Sequence, residues 1–290
     1  MLVNLEESWV CELATYPGAN GGQVHGPYIL QYTSNGDKVI ACGSTYSTEA
    51  KACHDLSAGS SSWHDDVPSM QRPHCPYTIA TSSHYLNSVG LFVIGQDACF
   101  TSESKVSTEL LTGGQWQETN TASPYGDSFP SRYCSAQLNA SHIIITGGQI
   151  NSDFLGSAWI LDVSNGNYAW TQAKAMISTR YNHGCTATAH GEILIAGGGS
   201  NNDKTVHIYD PANDAWRQEQ DLPDEMDNYA NPVLLIWKDK VLLLETKSAR
   251  IWERDDESGS WHKMGTTLGA QFLGDYDTAI TVPAGSYQCP

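Results

Sequence analysis

The chain has 290 residues, 40% of them hydrophobic, with 32 acidic against 15 basic side chains and a net charge of −17. That length accommodates one large or two ordinary domains with a substantial core. The charge argues against nucleic acid and anionic membrane surfaces as partners, because both repel it at long range, and no apolar run reaches the ~18 residues of a membrane-spanning helix. The first residues, Met1 to Trp9, lack the basic and apolar blocks of a signal peptide, so either a removed leader or a cytoplasmic location is expected.

Met1 to Leu5 and Ser8 to Glu12 read as two short strands. Five times thereafter a buried apolar run is followed by a further strand and a tryptophan. The runs are Val39 to Gly43, Leu91 to Gly95, Ile143 to Gly148, Ile193 to Gly199 and Val241 to Glu245. The strands that follow are Ala52 to Leu56, Val106 to Leu111, Ala158 to Asp162, Val206 to Asp210 and Ala249 to Glu253, ahead of Trp63, Trp116, Trp170, Trp216 and Trp261. Counting from Trp9, these tryptophans are spaced by 54, 53, 54, 46 and 45 residues, which is the mark of a repeat. Asp277 to Pro283, with the tail to Pro290, supplies one or two strands more. The Ser/Gly-rich Ser57 to Ser62 and the acidic Arg254 to Ser260 read as turns, so residues 1–290 form one domain.

The clearest unit runs from Arg180 to Trp216. Small and polar residues alternate from Gly184 to Ala189, and Ile193 to Ala196 forms a buried strand stopped by Gly197, Gly198 and Gly199. Val206 to Asp210 follows, then a Pro-Ala-Asn-Asp turn and the strand marked by Trp216. This pattern resembles a kelch repeat, a unit of about 50 residues that builds one propeller blade. The resemblance implies an all-β fold: a six-bladed kelch-like β-propeller of four-stranded antiparallel blades. The sixth blade would be shared between residues 1–14 and 270–290, so that both termini pair edges otherwise left open.

In a propeller the first strand of each blade lines the central channel, so equivalent repeat positions form a ring. Alignment of the repeat starts puts His25, His74, Tyr133, His183, Ala230 and Asp275 in that ring. His25, His74, Tyr133 and His183 are therefore candidate catalytic groups. Tyr28, Tyr77, Tyr181, Tyr229, Asn231, Asp275 and Tyr276 are candidate ligand contacts at the channel mouth. The structural alternative is that these histidines, with Arg72, Arg132 and Arg180, bond loop carbonyls.

The leading expectation is a small organic ligand, converted without a redox cofactor in an isomerase, cyclase or lyase type of reaction. The alternative is a non-catalytic module that binds a protein or glycan across one loop face. No metal is expected, since no short His/Cys spacing enforces a site. Galactose and glyoxal oxidases are also kelch propellers, and likeness to them implies a copper site with Cys75 crosslinked to Tyr133. Tyr181-Asn182-His183 and Ala230-Asn231 depart from their pattern. Motifs of other enzyme classes, such as G-x-S-x-G, phosphate loops and H-E-x-x-H, do not occur.

Eight cysteines suit an oxidising compartment and a secreted chain. Cys42 with Cys53 and Cys11 with Cys289 are the attractive pairs, and Cys75 with Cys134 is a third possibility. Asn139-Ala140-Ser141 is an N-glycosylation sequon in an expected strand-to-strand turn.

Overall fold

Ile143, Ile144 and Ile145 are consecutive and completely buried, which a strand achieves only when both of its faces are covered. Stacked sheets provide that cover. The computed structural model describes residues 2–4, 9–11, 29–33, 38–43, 51–60, 62–72, 74, 81–96, 105–166, 168–199, 204–226, 229, 231–245, 248 and 250–267. Among them β1 (Leu2–Asn4) pairs antiparallel with β2 (Trp9–Cys11). The first blade contains β3 (Ile29–Thr33), β4 (Lys38–Cys42) and β5 (Cys53–Ser57), and a bridge between Asp55 and His64 stands where a fourth strand would begin. The second contains β6 (Thr81–Leu86), β7 (Gly90–Gln96), β8 (Val106–Thr112) and β9 (Gln115–Glu118).

The third blade opens with β10 (Cys134–Gln137) and β11 (His142–Thr146). A two-stranded hairpin follows, β12 (Gln149–Ile150) and β13 (Asp153–Phe154), before β14 (Ala158–Asp162) and β15 (Ala169–Ala173) complete the sheet. The fourth is β16 (Gly184–Ala187), β17 (Ile193–Ala196), β18 (Val206–Asp210) and β19 (Ala215–Gln218). The fifth is β20 (Val233–Trp237), β21 (Lys240–Glu245), β22 (Arg250–Arg254) and β23 (Trp261–Thr267). Within each sheet the strands follow chain order, and the first strands β3, β6, β10, β16 and β20 lie successively side by side. The fold is thus an all-β propeller of antiparallel blades. Among the described residues the helical structure is one 3-10 turn, Ser164–Gly166, and no helix is long and apolar enough to cross a membrane.

The expectation of six blades is corrected to five among the described residues. Only the N-terminal pair of the expected sixth blade is present, and the C-terminal strands expected over 270–290 lie outside those residues, as does the proposed partner Cys289.

Alternation along the second strands ties the blades together. Ile143 and Ile145 face blade two, packing with Phe92, Ile94 and Phe129, whereas Ile144 faces blade four with Ile193, Ile195 and Tyr209. Burying each such side chain contributes about 2–3 kcal/mol, and the same stacking recurs at every described junction. Two of the repeating tryptophans serve it too. Trp116 Nε1 donates to the Pro68 carbonyl (2.8 Å) and Trp216 Nε1 to the Lys174 carbonyl (2.8 Å), so each indole clamps the chain leaving the preceding blade. The glycines after the buried strands have a stronger reason than tight reversal. Gly147 has φ +58°, and a Cβ there would stand 2.4 Å from the Arg180 carbonyl of the loop entering the next blade.

Cys42 and Cys53 sit directly opposite each other on β4 and β5 and form the expected disulfide. Cys134 is joined to Cys185, not to Cys75, because their strands β10 and β16 are neighbours and their Cα atoms are 5.9 Å apart. Cys75 itself lies outside the described residues.

Candidate functional site

Antiparallel order puts the loop entering each first strand and the loop joining the second and third strands on one face of the propeller. The hairpin turns between first and second strands lie on the other. Arg132, Asn182 and Asn231 occupy equivalent places in the entry loops, with left-handed φ values of 56°, 54° and 53°. Asn182 N–H donates to the Arg132 carbonyl (3.0 Å) and Asn231 N–H to the Asn182 carbonyl (2.8 Å), so the backbone is stitched around the mouth. The next residues, Tyr133, His183 and Pro232, therefore share the ring position.

In blade two that position belongs to Thr81, since Ser82 opposes Ile94 as Cys134 opposes Thr146 and Gly184 opposes Ala196. The sequence alignment is thereby shifted at two blades. His74 lies seven residues ahead of the ring position, and Ala230 two ahead. The reason is physical: the entry loops differ in length, and the geometry shared by Arg132, Asn182 and Asn231 resides in backbone conformation and bonds. His25, Tyr28, Tyr77, Asp275 and Tyr276 lie outside the described residues.

The other candidates bond separate partners. His74 is buried with its Nε2 3.1 Å from Glu109 Oε1, and Glu109 also accepts the N–H groups of Gln71 (2.8 Å) and Arg72 (2.9 Å). Burial pushes the Glu109 carboxyl up, but these hydrogen bonds outweigh it and hold it below the ordinary range. Tyr133 donates its hydroxyl to the Ile94 carbonyl (2.9 Å), and burial pushes that phenol well up despite the nearby Ser82 hydroxyl. His183 is buried, with Nε2 2.8 Å from Thr146 Oγ1. Burial first, and the Arg180 charge second, push its imidazole down to about 3. A ring so reluctant to take a proton is poorly poised as a general base near neutrality. Arg180 meets the structural expectation: its guanidinium bonds the Gly197 and Thr205 carbonyls (both 2.9 Å). Tyr229 donates to the Pro223 carbonyl (3.0 Å) and packs on the core.

Tyr181 is different. Its ring stacks on Phe154, with centroids 4.3 Å apart and planes 17° from parallel, and the Arg132 guanidinium carbon is 5.7 Å from the Tyr181 centroid. Arg132 also donates to Gln149 Oε1 (3.3 Å). Phe154 is 42% exposed. It rides on the β12–β13 hairpin, which is anchored because Ser131 and Gln149 exchange backbone bonds (2.9 and 2.8 Å). The sequence reading missed Phe154 and took Arg132 only as a structural group. The signal available was Gln149-Ile150-Asn151-Ser152-Asp153-Phe154, where Asn151 at φ +53° makes the turn of a tight hairpin.

A second polar pair, also missed, lies on the first strands. His84 Nε2 of β6 is 2.7 Å from Ser135 Oγ of β10, and burial pushes the imidazole down to about 4. Among the described residues no three His, Cys, Asp or Glu side chains gather as metal ligands.

Comparison with known proteins fits this architecture. Residues 180–223 match the family model for the kelch motif. Blade four of this propeller is thus a kelch repeat. A stretch of 88 residues is 32% identical to tRNA wybutosine-synthesizing protein 4 of Eremothecium gossypii, covering 29% of this chain and 12% of that protein. The chain thus spans only a small part of that relative. The matched motif contains Arg180, Tyr181 and His183, so the repeat accounts for the two buried side chains, and Tyr181 gains its exposed neighbour from the hairpin of the preceding blade.

Proposed function

We propose that this propeller is a non-catalytic binding module, that its working surface is the loop face of blades three and four, and that its partner is a protein. Exposed Phe154, stacked on Tyr181 beside Arg132, is the observation that carries this reading. An aromatic already held by its neighbours loses little side-chain freedom on docking, and clustered aromatic and Arg side chains concentrate the binding energy of protein interfaces. Conversion of a ligand by the His/Tyr ring draws less support, because His74, Tyr133 and His183 are engaged in buried bonds. A small organic ligand remains the second reading, favoured by the His84 and Ser135 pair on the channel-lining strands. The two described disulfides support an oxidising, extracellular setting. Closure by a sixth blade draws support from two apolar faces turned away from the described neighbours: Val39 and Leu56 on blade one, and Leu242, Leu244 and Ile251 on blade five.

A photo-crosslinking residue at Asn151, next to Phe154, is expected to trap the partner from the native source. Phe154→Ala and Arg132→Ala should each weaken capture by about 10-fold or more, with little change in the unfolding midpoint. Equal capture by both variants, or by a probe at Lys238 on the opposite face, would refute the reading. A small ligand whose binding is lost in His84→Ala and kept in Phe154→Ala would establish the second reading instead.

A further inference from the structure

The turn joining β10 and β11 carries the one Asn-x-Ser/Thr triplet of the chain, Asn139-Ala140-Ser141. Because β10 runs from the entry loop to this turn, the triplet lies on the face opposite Phe154 and Tyr181. We propose that Asn139 is an N-glycosylation site, and that its carbohydrate covers this opposite face while leaving the loop face open.

The local geometry suits the product. Asn139 and Ala140 are exposed. The Asn139 carboxamide oxygen accepts the Ser141 N–H (2.9 Å) and the Ser141 hydroxyl (3.4 Å), and stands 3.0 Å from His142 Nδ1. The Asn139 carbonyl accepts from Gln137 Nε2 (3.1 Å), and the Ala140 carbonyl accepts from the Ser88 hydroxyl of the adjacent blade (3.3 Å). The protein thus holds the oxygen side of the carboxamide, and Nδ2 is the atom through which a sugar extends into solvent without breaking any of these bonds. The chemistry forms a bond from Nδ2 to the anomeric carbon of a lipid-pyrophosphate-linked oligosaccharide. The bond from that carbon to pyrophosphate breaks, lipid pyrophosphate leaves, and one Nδ2 proton passes to the transferase. Donor and transferase belong to the compartment in which the Cys42–Cys53 and Cys134–Cys185 bonds form, so two independent features point to one route.

The test is to express the full chain behind a secretion leader in a eukaryotic cell and measure the intact and peptide masses. One N-glycan is expected, removed by peptide-N-glycosidase with aspartate left at the attachment position. Asn139→Gln and Ser141→Ala should lose it, and Ser141→Thr should keep it. Secreted wild-type protein with an unmodified Asn139 peptide would overturn the proposal, and this readout requires no variant to fold. Glycan found on Ser141→Ala but not on wild type would overturn it equally. Unchanged partner capture at the Phe154 face after enzymatic deglycosylation supports the separation of faces, and a loss of capture refutes that part.

Discussion

Acidification provides a quantitative test of the structural role assigned to His183. Buried beside Thr146 and near Arg180, its imidazole is held down to about 3, against an ordinary value of 6.5 once the chain unfolds. Between those values the unfolded state binds a proton that the folded state refuses, so stability rises with pH across the window. The contribution is fully present above the unfolded value and drains away as pH falls toward the folded one. Integrated from pH 7 down to pH 5, one such histidine removes about 2 kcal/mol, and the whole window has a ceiling of about 5 kcal/mol. The assay is urea unfolding followed by tryptophan fluorescence at pH 7, 6 and 5, for wild type and His183→Gln. His84, pushed down to about 4, adds to the wild-type slope and is common to both proteins. The difference in slope therefore isolates His183, whatever Gln costs at any single pH. The variant should lose about 2 kcal/mol less than wild type over this range. Parallel pH curves would show that His183 is solvated or protonated in the folded state, and would refute the buried assignment.

Two further perturbations probe the packing. Gly147→Ala places a methyl 2.4 Å from the Arg180 carbonyl at φ +58°, and should cost about 3 kcal/mol or more by chemical denaturation. Gly191→Ala, at φ +76° with nothing within 4 Å, should cost only about 1 kcal/mol; equal losses would deny the close approach. The Cys134–Cys185 bond closes a span of 51 residues and Cys42–Cys53 one of 11. Replacing each pair by serine should cost about 4 and about 3 kcal/mol respectively, and the reverse order in unfolding free energy would contradict the connectivity.

The strands were legible because a blade imposes a strong pattern. Ile143 to Ile145 and Ile193 to Ala196 must be apolar at every position, since neighbouring blades cover both faces. Trp116 and Trp216 each fill a groove between blades and donate to a carbonyl of the preceding one. Cys42 and Cys53 could be paired because opposition on adjacent strands follows from the strand boundaries. The ring register was harder. Thr81, Tyr133, His183 and Pro232 share a backbone place and little side-chain chemistry, so matching His74 to His183 by residue type followed the wrong likeness. The β12–β13 hairpin escaped notice because two-residue strands leave almost no periodicity.

That contrast bears on where function resides in a repeated fold. Residues set by the repeat are held in place by the repeat: Arg180 reaches into the third strand of its own blade much as His74 does in blade two, the one meeting His207 and the other Glu109. Such groups are buried and bonded because every blade must join its loops to its sheet. A binding surface must instead break the symmetry, since an identical feature on each blade would present several competing docking sites. Blade three carries one candidate for such a feature. Its second and third strands are joined through a short hairpin that raises Phe154 onto Tyr181 of the next blade, beside Arg132 of its own entry loop. Repeat alignment therefore finds the scaffold of this propeller, and departure from the repeat is the better guide to what the scaffold presents.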